Sequence, residues 1–279
     1  MENQIDRGFV RIEEGQVHFR RVGDPASGRP LVLVHASPSS SLNLVPLIQE
    51  LAGTRPLLAP DTLGHGDSAC AAMEVPDIVY YAGALGRVLD TLGVGEIDIY
   101  GTHTGASIAS EFAIAQPERV HRLVIDGIGL FTAEEQADLL ANYAPAMQPD
   151  DLGSQLNWAW HFVRDQAVFF PWYRRDAEHR GAGDMPPPEV LHGIVVEVLK
   201  AITTYHHAYR AAFSHNKRER LPLVSVPALV MGETSDPLSP TQDEVCALLP
   251  AGELADLSNT PDGVTAAKAA AIIEFIDRD

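Results

Sequence analysis

Two hydrophobic patterns alternate along the chain. Short, continuously apolar segments are typical of strands that are buried on both faces of a sheet. Such segments cover residues 31–34, 57–59, 97–100, 123–125 and 228–231, with a weaker last one at 254–257. Before them, residues 9–12 and 17–20 alternate between apolar and polar positions around a short turn, which predicts a hairpin.

Longer segments between these strands repeat their apolar residues at helical spacing. They span residues 41–51, 77–92, 104–115, 241–249 and 264–277. Strands and helices therefore alternate, and this order predicts an α/β fold with a mostly parallel sheet and helices on both faces.

One long stretch interrupts the alternation. Residues 131–220 contain no strand-like segment, are helical in character and hold all three tryptophans of the chain. We therefore predict a helical insertion between two strands of the sheet.

The clearest chemical signal follows the strand at residues 97–100. Residues 101–105 read Gly-Thr-His-Thr-Gly, and a helical pattern begins at once. A strand, a G-x-X-x-G turn and a helix form the nucleophile elbow of the α/β-hydrolase fold, which presents the central residue at the top of the sheet. The glycines let the helix pack close to the strand.

Three further motifs make the chain resemble the α/β-hydrolase superfamily over nearly its whole length. Residues 35–38 (His-Ala-Ser-Pro) are similar to its oxyanion loop, residues 61–68 to its D-x-x-G-x-G-x-S turn, and residues 116–120 to the link after the elbow helix. The Gly-Thr-His-Thr-Gly elbow is also similar to that of a bacterial subgroup with His in place of the nucleophile. The resemblance implies a core formed by residues 1–130 and 221–279, and a helical cap formed by residues 131–220.

The chain departs from this family at two catalytic positions. The central residue of the elbow is His103 instead of Ser, Cys or Asp, and no histidine follows His215. The resemblance places Asp262 near the family's catalytic histidine, Asp236 at its usual acid position and Asp126 at an alternative acid position. The Ser-His-acid mechanism therefore cannot be transferred to this chain.

Two classes of function remain open. In the first, an enzyme acts on a small apolar or aromatic carbonyl compound, and His103 is the general base, because the ordinary histidine pKa of about 6.5 suits proton transfer near neutral pH. Asp126 or Asp236 would orient the ring, and the reaction would be ester or lactone hydrolysis or C–C bond cleavage. A variant makes His103 the nucleophile. In the second class, the ring is inert and the protein binds small molecules without turnover.

Other side chains would complete the pocket. The resemblance assigns an oxyanion hole to the amides of Ala36, Ser37 and Thr104. His161 and His207 are candidates to replace the missing histidine of the triad. The expected substrate contacts are aromatic or imidazole side chains, namely His35, Trp158, His161, Phe170, Trp172 and His207.

The composition limits the classes of molecule that the protein is expected to bind. With 20 basic and 38 acidic residues, the net charge is −18, which argues against nucleic acid and anionic membranes as partners. The first residues lack the pattern of a signal peptide, so we expect a cytoplasmic protein. We expect neither a cofactor nor a metal, because there is no glycine-rich nucleotide loop and no HExxH pair. The expected partner is a small-molecule substrate, and a homodimer stays open.

Overall fold

One eight-stranded sheet forms the centre of the computed structural model, which describes residues 4–181, 183–257, 260 and 263–278. The spatial order of the strands is β1-β2-β4-β3-β5-β6-β7-β8. The strands are β1 Asp6–Ile12, β2 Gly15–Val22, β3 Leu31–Val34, β4 Leu57–Pro60, β5 Ile97–Thr102, β6 Val120–Asp126, β7 Ala228–Met231 and β8 Gly252–Leu254.

The pairing of the strands confirms the predicted fold class. β1 and β2 form an antiparallel hairpin, β2 pairs antiparallel with β4, and all later neighbours are parallel. The last strand lies earlier in the sequence than predicted. It was expected at residues 254–257, but β8 ends at Leu254. β8 is a partly exposed edge strand, so it lacks the continuous apolar pattern by which a buried strand is found.

Ten α-helices accompany the sheet in the described part of the chain. They are α1 Val45–Leu51, α2 Ile78–Thr91, α3 Thr104–Ala115, α4 Ala133–Asn142, α5 Ser154–Gln166, α6 Pro188–Lys200, α7 Tyr205–Ser214, α8 Lys217–Arg220, α9 Gln242–Leu248 and α10 Val264–Ile276. The helix predicted over 41–51 begins as a 3₁₀ turn at Ser41–Leu44 and continues as α1. None of the described helices is long and apolar enough to cross a membrane.

Helices cover both faces of the sheet because its inner strands are apolar on both sides. Leu31 and Leu33 belong to one core cluster with α1 and α10. Val32 and Val34, which point to the opposite face, belong to the other cluster with α2 and α3. The alternation of side chains along each strand thus divides the core into two layers.

The segment between β6 and β7 is helical and has its own aromatic core. It contains α4 to α8, and many of its buried residues form a third cluster. Trp158 stacks on Phe162 with ring centroids 4.8 Å apart, and the indole N–H of Trp172 donates to the carbonyl oxygen of Tyr143 at 2.9 Å. The limits of the cap at residues 131 and 220 stay a prediction.

Two glycines bring α3 into contact with the sheet. A β-carbon at Gly101 would lie 2.2 Å from the carbonyl oxygen of Gly105, and one at Gly105 would lie 2.2 Å from that of Val34. Both distances are far below van der Waals contact, and the neighbouring atoms belong to the backbone. Only glycine therefore permits this separation of helix and strand.

We predict that Gly105→Ala lowers the free energy of unfolding by about 3 kcal/mol, because backbone atoms must shift to admit the methyl group. Gly193→Ala is the matched control. Gly193 is exposed within α6, and no described atom lies within 4 Å of its β-carbon position. This control should gain about 0.5–1 kcal/mol through helix propensity. Urea denaturation measures both changes, and a Gly105→Ala protein as stable as the wild type would contradict the packing argument.

Candidate active site

A single residue, His103, connects the end of β5 to the start of α3. Its backbone has φ 51° and ψ −110°, and it is the only described non-glycine residue with a positive φ. Its N–H donates to the carbonyl oxygen of Asp126 at 2.9 Å, which ties the turn to β6. Positive φ is unfavourable for most side chains, although His is among those that tolerate it better.

The ring of His103 binds the carboxylate of Asp236. His103 Nε2 and Asp236 Oδ2 are 2.8 Å apart, although the residues are separated by 133 positions in the sequence. The other oxygen of Asp236 accepts the amide of Leu238 at 2.9 Å, which fixes the carboxylate in the loop after β7. The side chain of Asp236 is 11% exposed, whereas that of His103 keeps 41% of its surface accessible.

Gly127 makes room for this pair. A β-carbon at Gly127 would lie 2.5 Å from Asp236 Oδ2 and 2.7 Å from His103 Nε2. Gly127 also has φ +68°, a conformation that other residues rarely adopt. The first residue after β6 is thus a glycine at the point where a side chain would separate the imidazole from its carboxylate.

The charges around His103 set its protonation. Burial disfavours the imidazolium, but the hydrogen bond and charge of Asp236, with a contribution from Asp126, raise the pKa of His103 above its ordinary value of 6.5. Lys268 acts in the opposite direction. Burial also opposes ionisation of Asp236, yet its hydrogen bond to His103 holds the pKa of Asp236 below its ordinary value.

Asp126 has different partners. Its Oδ2 accepts the hydroxyl of Tyr100 at 2.5 Å and forms an ion pair with Lys268 Nζ at 2.8 Å. Lys268 also reaches Glu233 at 3.0 Å. Asp126 Oδ1 is buried without a hydrogen-bond partner in the described part of the chain. The carboxylate of Asp126 is therefore held by a lysine and a tyrosine, and only that of Asp236 binds the imidazole.

These groups line a cavity of about 650 Å³ between the sheet and the helical segment. Ala36, Ser37, His103 and Thr104 lie on its sheet side. The amides of Ala36 and Thr104 donate no hydrogen bond to any described residue, and Thr104 begins α3, whose N-terminus carries positive partial charge. The wall from the helical segment is largely aromatic and consists of Phe131, Tyr143, Phe170, Tyr209 and Phe213.

Comparison with known proteins identifies the fold family. Residues 29–251 match the family described as alpha/beta hydrolase fold. The chain belongs to this family. Among solved structures, the enol-lactonase from Burkholderia xenovorans LB400 superimposes with a TM-score of 0.70 at 17% identity, over 97% of this chain and 100% of that one. An epoxide hydrolase from an endophytic Streptomyces gives a TM-score of 0.71 at 16% identity, over 97% and 96%.

Curated relatives match in part of their length. The 2-hydroxymuconate semialdehyde hydrolase of Pseudomonas sp. strain CF600 is 36% identical over 129 residues, which cover 44% of this chain and 45% of that protein. The 2-hydroxy-6-oxo-2,4-heptadienoate hydrolase of Pseudomonas putida is 31% identical over 134 residues, which cover 44% and 47%. The chain thus spans about half the length of the curated relatives that it matches.

Within this α/β-hydrolase fold, the expected substrate contacts are only partly at the cavity. Phe170 lines it, but His35, Trp158, His161, Trp172 and His207 do not, contrary to expectation. His35 is buried, and its two ring nitrogens bind the backbone of Ala36 and Thr62. Trp158 and Trp172 lie in the aromatic core of the helical segment. Trp158, His161 and His207 lie on α5 and α7, and helical spacing does not tell which face of a helix meets the cavity. His35 and Trp172 lie outside helices and strands, where no pattern in the sequence gives the direction of a side chain.

The two remaining histidines of that set do not line the cavity that contains His103. His207 stacks against His206 with ring centroids 4.1 Å apart, and His161 lies on α5 outside the cavity lining. Neither therefore supplies a replacement for the missing triad histidine in this arrangement. Asp262, the residue expected near that position, lies outside the described residues.

Sequence reasoning missed several cavity residues. Tyr100 and Lys268 share the carboxylate of Asp126, and Lys217 reaches the cavity from the start of α8. Tyr100 directly precedes the Gly-Thr-His-Thr-Gly sequence, so its position two residues before the end of β5 was the available signal. No local pattern marks Lys217 or Lys268, since both are single lysines in helical segments.

Two groups of possible metal-binding side chains occur among the described residues, and both lie outside the cavity. His18, Asp61 and Asp67 form the first group, with ligand atoms within 4.8 Å of one another. Arg7 donates to both His18 and Asp67 in this group, and the other ring nitrogen of His18 is hydrogen-bonded to Asp61, so all three side chains already have hydrogen-bond partners. Residues 176–179 hold the second group on the surface.

We predict that His103 titrates above pH 6.5 and that Asp236→Asn moves its pKa downward. The substitution removes the anion that stabilises the imidazolium and leaves the effect of burial. Histidine ring resonances followed by NMR against pH measure this change, and His103→Asn identifies the resonance.

His207 provides the internal control for this titration. Burial and Arg210 hold the pKa of His207 below its ordinary value, and the residue does not line the cavity. Its titration should be the same in both proteins. An unchanged His103 pKa in Asp236→Asn would show that the carboxylate does not govern the ring.

Proposed function

We propose that the protein is a hydrolase of small apolar or aromatic carbonyl compounds in which His103 acts as the general base. The observation that carries the proposal is the hydrogen bond between His103 Nε2 and Asp236, made at the cavity. The names of the two Pseudomonas relatives support the substrate class, because both are hydrolases of unsaturated carbonyl compounds. The aromatic wall of the cavity suits a substrate of the same character.

The orientation of the ring leaves Nδ1 as the base. A carboxylate accepts a hydrogen bond, so Nε2 carries the proton that Asp236 accepts, and Nδ1 of the neutral ring keeps its lone pair. His103 Nδ1 has no hydrogen-bond partner within the described part of the chain. Asp236 then stabilises the imidazolium that forms when Nδ1 takes a proton.

The proposed reaction uses water directly. His103 Nδ1 takes a proton from a water molecule while the water oxygen bonds to the substrate carbonyl carbon. The amides of Thr104 and of Ala36 or Ser37 hold the resulting oxyanion. The imidazolium returns the proton to the leaving group as the bond breaks. That group is an alkoxide in an ester or lactone, or a carbanion stabilised as an enolate in C–C bond cleavage.

Asp126 has a separate role in this proposal. Its negative charge contributes to the raised pKa of His103, while its carboxylate remains paired with Lys268. It therefore tunes the base through charge, and Asp236 alone orients the ring. Of the two carboxylates that the sequence leaves open, the proposal assigns the orienting role to Asp236 because of its hydrogen bond to the ring.

We predict that His103→Asn lowers kcat/KM by about 10²- to 10⁴-fold, the usual contribution of a general base. Asn tolerates a positive φ, so the turn is preserved. Activity is measured on a panel of activated esters, lactones and β-diketones. His207→Asn, which removes a histidine outside the cavity, should keep the wild-type rate.

Two outcomes would contradict the proposal. Equal rates in wild type and His103→Asn would exclude His103 as the base. Binding of panel compounds without turnover by the wild type would favour the alternative of a small-molecule binding protein, which the lack of a Ser, Cys or Asp at the elbow already suggests.

We predict that kcat/KM rises with pH and reaches half of its plateau above pH 6.5, because the base acts only when it is unprotonated. Asp236→Asn should move this midpoint to lower pH, since the imidazolium loses its partner, and should also lower the plateau. The pH profiles of both proteins measure the effect. A midpoint that does not move would show that the observed ionisation is not that of His103.

A further inference from the structure

Lys217 is a buried cation in the cavity wall. It begins α8, is 8% exposed and lines the same cavity as His103. Its Nζ donates to the carbonyl oxygen of Ala212 at 2.6 Å. An ammonium group has three hydrogens, and no other described residue accepts from this one.

The other charged groups of the cavity are already paired. Asp236 binds His103, and both Asp126 and Glu233 bind Lys268. No described carboxylate forms an ion pair with Lys217, and the charge that acts on it is the cationic Arg218. Buried charges are normally compensated, and among the described residues Lys217 has no anionic partner of its own.

The surroundings of Lys217 are apolar. Its Nζ lies 5.8 Å from the ring centroid of Phe131, and Ala212 and Phe213 line the cavity next to it. Burial, together with Arg218, lowers the pKa of Lys217 to about 8, so the group is still largely cationic at neutral pH. An anion in such surroundings is held more strongly than at an exposed lysine, because solvent screens the pair less.

The geometry points to Lys217 as the residue that binds a carboxylate of the substrate, whose apolar body lies against the aromatic wall. This inference rests on the proposed function, and it names the substrate class as aromatic or unsaturated acids that also carry the reactive carbonyl. A monoanion matches one ammonium with two free hydrogens. A phosphate dianion would retain an uncompensated charge, which the apolar surroundings disfavour.

Binding of unreactive ligands tests the inference without any turnover. The probes are benzoate, phenylacetate and 3-phenylpropanoate, each beside its neutral amide, with affinities measured by calorimetry at pH 7. The wild type should bind the best acid about 10- to 100-fold more tightly than its amide, as expected for a buried charge-assisted hydrogen bond. Lys217→Met should abolish this preference and leave the affinity for the amide unchanged.

Lys200→Met is the matched control. Lys200 also carries one positive charge, but it is 38% exposed, pairs with Asp67 and Glu197, and does not line the cavity. This variant should keep the full preference for the acid. A general effect of net charge would instead lower the preference equally in both variants and would overturn the inference.

A second variant distinguishes loss of the cation at residue 217 from loss of folding. If Lys217→Met fails to bind the amides as well, Lys217→Arg, which retains the cation, should restore the preference for the acid, and a Lys217→Arg protein without it counts against the inference. The inference is also overturned if the wild type binds the acids no better than the amides, or binds no acid detectably. If His103 is not the base, His103→Asn keeps the wild-type rate while the preference for the acid and its loss in Lys217→Met are still observed, so the two proposals fail separately.

Discussion

The close contact between α3 and the sheet is the constraint on which the site depends. Gly101 and Gly105 allow the helix to approach β5 and β3 so closely that one residue must complete the turn. That residue, His103, is held at a positive φ, and its ring lines the cavity. Backbone packing in the core therefore fixes the position of His103, and the hydrogen bond to Asp236 orients its ring.

Charge pairing is the second constraint, and it explains how the cavity can contain so many ionisable groups. An isolated buried charge is costly, and a pair with good geometry offsets much of that cost. Asp236 and His103 form one such pair, and Lys268 is shared by Asp126 and Glu233. Lys217 differs from these because its one acceptor among the described residues is the carbonyl oxygen of Ala212, which carries no full negative charge.

The sequence predicts the strands and the turn at His103 better than it predicts which residues of the helical segment line the cavity. Leu31–Val34 and Ala228–Met231 were predicted at their observed limits, since a strand that is buried on both faces leaves a continuous apolar run. The turn at His103 was found because glycine spacing there is dictated by backbone contact. Trp158 and Trp172 were misplaced because packing between cap helices, which no local pattern encodes, decides whether an aromatic residue faces the core or the cavity.

Asp126 and Asp236 have different partners, although both stand at positions where the family pattern has an acid. In the family pattern, a carboxylate at either acid position orients a histidine from the last loop, whereas here the imidazole reaches Asp236 from the turn itself. One carboxylate suffices for one imidazole, so the second position is available for another cation. Lys268 occupies it and prevents Asp126 from remaining an unpaired buried anion near His103. The pair also moderates the field at His103, because Asp126 raises and Lys268 lowers the pKa of the ring.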